Sequence, residues 1–349
     1  MANLNASGEA RRIWRVLPTM PAEMLVPAAQ QAEADGVEGV FAYQVYGPPF
    51  IPLAAAAAAT TTLKLASGIA IAASRSPFET AMAARDLDLI SNGRFTLGLG
   101  SSVPAWTKGV FGAPDIKPLA HLRDTVAAIR HIHANAHLGL EPYDGTYYKA
   151  DFEAFQAVIP PPVKETMPIW LAAMREKLTR MAVEIGEGVI GHPMWSVDWA
   201  VNEMKPVIED ELQKRNRLRS DIEVSIWPWA TPNPNEKEAL DDARPTVAFY
   251  GGVKDYESYF EANGFGKEAR ALQPAILEDG FLKAASLVPD EMVRAFIAVG
   301  DPDKVREQIE PVWNVADSIC VIPPIYAMTP EKSLYYAEAI AKTFAPDSL

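Results

Sequence analysis

A single cysteine, Cys320, stands among 349 residues, so the chain can form no internal disulfide. That usage fits a reducing compartment. Positive charge is scarce: 32 Lys and Arg face 45 Asp and Glu, a net charge of −13. A chain this acidic lacks the basic footprint that phosphate-backbone binding needs, which argues against nucleic acid as the main ligand. A small anionic ligand stays compatible, because it needs only a local cluster of donors. Long apolar runs are missing too. The most apolar stretch, residues 51–59, is alanine-rich and well short of the roughly 20 residues that span a bilayer. The opening MANLNASGEARR has no apolar core of the signal-peptide kind and reads as a loose tail. The expectation is a cytoplasmic protein with no membrane contact. No G-x-S-x-G, P-loop, zinc spacing or nucleophilic-cysteine context occurs. An enzyme without these can still work where a cofactor brings the chemistry.

Apolar residues make up 49% and charged residues 22%, so a packed core is expected. Strand-like runs alternate with helical ones along the whole chain. The strands read at 13–17, 37–43, 63–72, 94–100, 168–173, 188–193, 222–230 and 317–322. Their near-continuous apolar character means a parallel sheet covered by helices. Eight repeats at this length predict an α/β fold of the (β/α)8 TIM-barrel type rather than an open doubly wound sheet. One domain, 1–349, is expected, with a mostly helical insertion at about 236–300. In such a barrel, chemistry sits where strands end. The loops after Leu17, Tyr43, Ala72, Gly100, Ala173, His192 and Ala230 are therefore the ones to search.

Several residues stand out there. In GRFTLGLGSSVPAW (93–106), Gly98 and Gly100 fit G-x-G, but Val103 takes the third glycine's place and no helix is read after it, so the dinucleotide fingerprint fails. Glycine there instead opens backbone surface to a planar ligand. His192 closes GVIGH at a strand end, where barrels often hold phosphate. Arg75 in SRSP and Arg175 in LAAMREK sit at strand-to-helix junctions and read as two anion-binding points on one face. Tyr43, Tyr46, Trp106, Trp195, Trp227 and Trp229 fall at strand ends, where they pack the core or line a flat apolar pocket. His131, His133 and His137 lie on a helix expected outside the barrel, with no third ligand, so no metal site is assigned.

EADGVEGVFAY, the stretch from LAAAAAATTTLKLASGIAIAASRSPFETA through DLISNGRFTLGLGSS, and GVIGHP together resemble the luciferase-like superfamily of flavin and deazaflavin oxidoreductases. AFYGGVKDY and FIAVGDPDKV resemble its coenzyme F420-dependent oxidoreductase branch of actinobacterial type. The resemblance implies a luciferase-like barrel, often a homodimer. It implies a bulge after the third strand, often with a non-prolyl cis peptide, near Gly68, Ile69 and Ala70. It places Gln44, Arg75, Gly100, Ser101, Ser102, Ala173, Met174, Arg175, His192 and Pro193 around the cofactor. Tyr46, Trp106, Trp195 and Trp229 would line the substrate pocket. Relatives often carry an acid and a histidine after the second strand, and some a glutamate after the glycine-serine loop. Here Gln44, Val45 and Val103 stand instead. The expected activity is hydride transfer between coenzyme F420 and a small electron-poor substrate. Tyr43, Gln44 and Tyr46 are the candidate catalytic residues, and the proton comes from Tyr43, Tyr46 or solvent. The alternatives are an FMN-dependent monooxygenase and a non-catalytic, ligand-binding barrel.

Overall fold

The computed structural model describes residues 4–45, 47–155 and 159–346, with only the backbone of Phe281. Its strands are β1 (Arg12–Val16), β2 (Gly39–Ala42), β3 (Lys64–Ser67), β4 (Ala70–Ile71), β5 (Phe95–Gly100), β6 (Tyr143–Asp144), β7 (Lys149–Ala150), β8 (Ile169–Ala173), β9 (Gly188–Gly191), β10 (Glu223–Ile226), β11 (Trp229–Pro232), β12 (Ile297–Gly300) and β13 (Ser318–Cys320). Eight of them form a closed parallel ring in the order β1-β2-β3-β5-β8-β9-β10-β13, and β13 returns to β1. This is a (β/α)8 barrel, as the strand count predicts.

The helices start and stop where their residues dictate. Before helix Pro77–Ile90, the Ser76 hydroxyl accepts the Glu79 N–H at 3.1 Å and Pro77 takes the first helical position. Beyond its end, Asn92 and Gly93 turn left-handed at φ 53° and 83°. Helices Ala22–Ala34, Phe50–Ala59, Pro118–Asn135 and Glu176–Ile185 follow their strands in the same way.

The lumen is filled by large aromatics set against glycines. Trp14 and Phe41 lie 4.4 Å apart between ring centres, and Phe41 and Trp227 lie 4.5 Å apart. A Cβ on Gly39 would stand 2.6 Å from Trp14, and one on Gly188 would stand 2.4 Å from Trp170. The glycines thus make the volume that the indoles occupy. Gly98 has a different task. Its Cβ would fall 1.8 Å from the Ser67 carbonyl oxygen, and the Ser67 hydroxyl bridges to Gly98 O at 2.8 Å and accepts Gly98 N–H at 2.9 Å.

Five local readings change. The run 63–72 is two strands, β3 and β4, separated by a cis Gly68–Ile69 peptide. The run 222–230 breaks at Trp227-Pro228, since proline has no N–H for the ladder. Its second part, β11, leaves the ring and pairs with β12. Glycine 100 is followed after three residues by a short helical turn, Pro104–Thr107. The described amino-terminal residues are not loose. The Asn5 side chain accepts the N–H groups of Ser7 and Glu9 at 3.0 and 2.9 Å, and Ala6 N–H reaches Ala316 O at 3.1 Å under the barrel's amino end. The connection 135–166 also carries the β6–β7 hairpin. Among the described residues, no helix is long and apolar enough to cross a membrane.

Candidate active site

The carboxyl end of the barrel gathers residues far apart in sequence through a continuous set of contacts. After β2, the Gln44 N–H reaches Ile69 O at 3.2 Å. The Gln44 side-chain Oε1 accepts Ile71 N–H at 2.9 Å and Arg75 Nη2 at 3.2 Å, while Nε2 donates to the Ser74 hydroxyl at 3.1 Å. Ile71 pairs with Gly100. A Cβ on Gly100 would stand 2.2 Å from Ile69 Cδ1 and 3.1 Å from the Ala172 Cβ. From the next loop, His192 N–H donates to Ala173 O at 2.9 Å. Arg75, Gly100 and His192 therefore share one rim.

His192 has a defined tautomer. Its Nδ1 accepts the Met194 N–H at 3.1 Å, so the ring proton sits on Nε2 and donates to the Tyr256 hydroxyl at 3.1 Å. Burial lowers its pKa to about 4, which keeps the ring neutral near pH 7. Burial also pulls the Arg75 guanidinium below its ordinary value. Ser101 and Ser102 follow Gly100, Ser102 at φ 56°, and neither hydroxyl bonds another described residue. Tyr43 is 40% exposed, and partial burial pushes its phenol up. Trp106 reaches across the rim, its Nε1–H donating to Val45 O at 3.0 Å.

Three donors on this side make no hydrogen bond within the described protein: Arg75 Nη1, Trp227 Nε1 and Trp229 Nε1, all buried. Buried donors of this kind ordinarily have a partner. They fit a ligand rich in acceptor oxygens and nitrogens, whereas the space beside Gly100, expected from the sequence to open toward a planar ligand, is filled by the Ile69 and Ala172 side chains. Among the described residues, no group of three or more His, Cys, Asp and Glu is placed to hold a metal.

The comparisons with known proteins agree with this geometry. Residues 7–315 match the model of the family described as luciferase-like monooxygenase. The chain belongs to that family. It is 28% identical over 320 residues to a putative coenzyme F420-dependent oxidoreductase of Mycobacterium tuberculosis, across 87% of this chain and 90% of that relative. The solved coenzyme F420 dependent tetrahydromethanopterin reductase from Methanopyrus kandleri shares the fold with a TM-score of 0.79 at 23% identity, over 97% of this chain and 99% of the other. An F420-dependent secondary alcohol dehydrogenase, solved with an F420-acetone adduct, does so with a TM-score of 0.73 at 15% identity, over 96% and 98%. The protein is thus a luciferase-like oxidoreductase with the luciferase-like TIM barrel.

Within this luciferase-like barrel the remaining assignments separate. Ala173 and Met174 are buried beside His192, and Pro193 is half-buried after it. Arg175 is exposed and turns toward Ser258, donating to its hydroxyl. Trp195 is held inside the fold. It is 2% exposed, packs on Gly191 and donates Nε1–H to Met174 O at 3.0 Å. Trp229 is also buried, with Tyr250 at 6.3 Å between ring centres. Tyr46 lies outside the described residues. His131 and His133 bond the carbonyl oxygens of Glu141 and Lys164 through Nε2, at 2.9 and 3.0 Å.

The sequence reading missed an aromatic wall over the rim. Tyr250 lies 5.7 Å from the His192 ring and 6.1 Å from Tyr256, and Phe249 stacks on Tyr326 at 4.0 Å. Burial and the neighbouring Tyr326 hydroxyl push the Tyr250 phenol up. These residues come from 249–256 and from the loop after β13. AFYGGVKDY, noted only as a point of resemblance, was the available signal.

Proposed function

We propose that this luciferase-like oxidoreductase uses the deazaflavin coenzyme F420 and passes hydride to a small, electron-poor organic substrate such as an activated alkene, imine or nitroarene. The observation that carries the reading is a rim with unpaired buried donors, but with Gln44, Val45 and Val103 where acid–base groups would otherwise stand. The relative and both solved structures named above are described as F420-dependent, which supports the same choice.

When bound, the coenzyme supplies a hydride donor or acceptor at a carbon, chemistry no side chain of this rim offers. The chain's own part is binding and orientation. The Ile69–Ile71 segment, pinned by Gln44, forms a fixed platform. Ser101 and Ser102 offer hydroxyls beside it. His192 stays neutral, so it acts as a hydrogen-bond donor through Nε2 and not as an acid. The aromatic wall of Tyr250, Tyr256 and Tyr326 excludes water and presents a flat surface to a planar substrate. Tyr43 carries the one phenol of the sequence-assigned donors that the described structure includes.

Anaerobic titration of the purified protein with F420 and with FMN tests this. Tight F420 binding, with oxidation of the reduced coenzyme by an enone or nitroarene, is the expected result. Oxygen-dependent product formation with FMN would instead support the monooxygenase reading, which the family's own description favours. Binding of neither would leave a non-catalytic barrel.

A further inference from the structure

Arg75 differs from Arg85 and Arg94, two other arginines of this chain that are largely buried. Arg85 donates to the carbonyl oxygens of His133 and Pro160, at 2.5 and 2.6 Å. Arg94 donates to five acceptors, among them Leu63 O at 2.6 Å and Ala57 O at 2.8 Å. Those two are structural clamps whose guanidinium N–H groups are used within the protein. Arg75 makes one hydrogen bond, from Nη2 to Gln44 Oε1 at 3.2 Å, while Nη1 is buried and unpaired. None of the chain's described ion pairs involves Arg75. Its guanidinium carbon lies 5.4 Å over the Phe50 ring, which orients the group without neutralising it.

Gln44 holds the guanidinium without an ion pair, while the Glu79 carboxylate acts on it only through space and forms no ion pair with it. The Gln44 amide cannot be flipped, because Oε1 must face the Ile71 N–H, an obligatory donor, at 2.9 Å. Nε2 then meets the Ser74 hydroxyl, which itself donates to Ile71 O at 2.7 Å. The same oxygen that holds the platform therefore holds Arg75, and it does so with a dipole instead of a charge. A partly desolvated cation with a free N–H is unfavourable unless an anion completes it. This arrangement sits on the active rim, one contact from Ile71 and Gly100.

We propose that Arg75, positioned by Gln44, is an oxyanion-recognition residue of the active site, and that Nη1 takes an oxygen of a planar delocalised anion. Two sources share that chemistry: a carboxylate carried by the substrate, and an ionised ring imide of the coenzyme. The second source rests on the function proposed above, while the first stands without it.

The test compares affinities for charged and neutral forms of matched probes, by calorimetry or fluorescence. One arm uses benzoate against benzamide. The other uses a phosphate-free deazaflavin headgroup, above and below the pH at which its ring ionises. The wild type is expected to prefer the anion by tenfold or more in at least one arm, and that arm identifies the source. Arg75→Gln should abolish the preference. Gln44→Glu should abolish it too, by pairing with the guanidinium, while the melting temperature stays near that of the wild type. A merely structural Arg75 would instead lower the melting temperature of Arg75→Gln and leave the charged-to-neutral ratio unchanged. No preference in either wild-type arm, or a preference that survives Arg75→Gln, overturns the proposal. A preference lost in Arg75→Gln but kept in Gln44→Glu overturns the role of Gln44. Failure of the wild type to bind F420 or FMN would sink the cofactor reading alone, because the benzoate arm still judges Arg75.

Discussion

Gly68 lies directly against Trp227: a Cβ at residue 68 would stand 2.2 Å from the indole Cη2, and Phe41 Cδ1 would be 2.9 Å away. Trp227 packs on Phe41 in turn, at 4.5 Å between ring centres. The platform at the end of β3 therefore rests on the aromatic filling of the barrel. Gly68→Ala should overpack this contact and lower stability by about 1–3 kcal/mol. Trp227→Phe alone leaves a small void, yet in the Gly68→Ala background it should restore part of the loss. Thermal or chemical unfolding of both single variants and the pair gives the coupling energy. Simple additivity would mean that the two residues do not meet as described.

His192 makes stability depend on pH in a known direction. Its native pKa is about 4, against 6.5 for the free side chain. Between those values the unfolded chain holds more protons than the native one, so stability falls as pH drops from 6.5 toward 4. Above pH 6.5 the term vanishes. The full effect is about 3 kcal/mol by the conversion of 1.36 kcal/mol per pKa unit. Denaturant melts of wild type and His192→Asn across this range should differ in slope, and equal slopes would refute the assignment of a neutral, desolvated ring.

At the opposite end of the barrel, Glu223 acts with the reverse sign. Burial, aided by Asp317 and Glu38, pushes its pKa up to about 7, against the pull of Arg12 at 2.8 Å. From pH 7 down to 4.5 the native state holds the extra proton, so this term makes the fold more stable as pH falls. The wild type therefore sums two opposing slopes between 4.5 and 6.5. Glu223→Gln should reveal the His192 slope undiminished, and a flatter curve in that variant would contradict the raised pKa. The test concerns the slope, since removing the carboxylate also leaves Arg12 with only Glu9, at 3.6 Å.

Cys320 should be inert in the native state. It is fully buried in β13, and burial pushes its thiol well above the ordinary range. A chromogenic disulfide reagent should titrate no thiol in the folded protein and one in denaturant. A rapid native reaction would require the barrel to open at β13.

The barrel was legible because its strands are apolar runs bounded by glycine, proline and asparagine. Val40 and Phe41, Leu65 and Ala66, and Val189 and Ile190 are all buried on both faces of the sheet. Helix Pro77–Ile90 was legible from Ser76-Pro77 at one end and Asn92-Gly93 at the other. The break at Trp227-Pro228 was hidden because apolar character continues across it into β11. The anchoring of residues 4–11 was hidden because a polar segment can fold on its own side chains, as Asn5 does. At the rim, the gathering of Arg75, Gly100 and His192 followed from the rule that strand ends share a face. The contacts of Gln44 with Ile71, Ser74 and Arg75 did not, because spacing carries no information about which way an amide points. Tyr250, Tyr256 and Tyr326 were invisible for a simpler reason. Tyr250 and Tyr256 reach His192, and Tyr326 meets Tyr250, from segments more than fifty residues away, and no local pattern encodes such a meeting.

That meeting leads to a last prediction, on how the 253–262 segment is held. Tyr259 anchors it deeply, its hydroxyl donating to Met194 O and accepting Ser196 N–H at 3.2 Å. Two bonds nearer the rim's surface hold the part before it: Tyr256 accepts from His192 Nε2 at 3.1 Å, and the Ser258 hydroxyl accepts from Arg175. The His192 bond is partly buried and the Arg175 bond is exposed, so the first should hold more strongly. Tyr256→Phe removes the acceptor and leaves the His192 donor unpaired, at a cost of about 1–2 kcal/mol. Ser258→Ala should cost less than half of that. Because the barrel strands do not depend on either bond, the loss should appear as local opening before global unfolding. Hydrogen exchange followed by mass spectrometry should therefore speed up by about fivefold or more at amides 253–258 in Tyr256→Phe, with β1, β5 and β8 unchanged. A ligand seated beside Ala173 and His192 would oppose that opening, so under the function proposed above saturating F420 should slow the same amides. Exchange that rises evenly over the barrel strands would show that Tyr256 supports the core and does not fasten a cover over the rim.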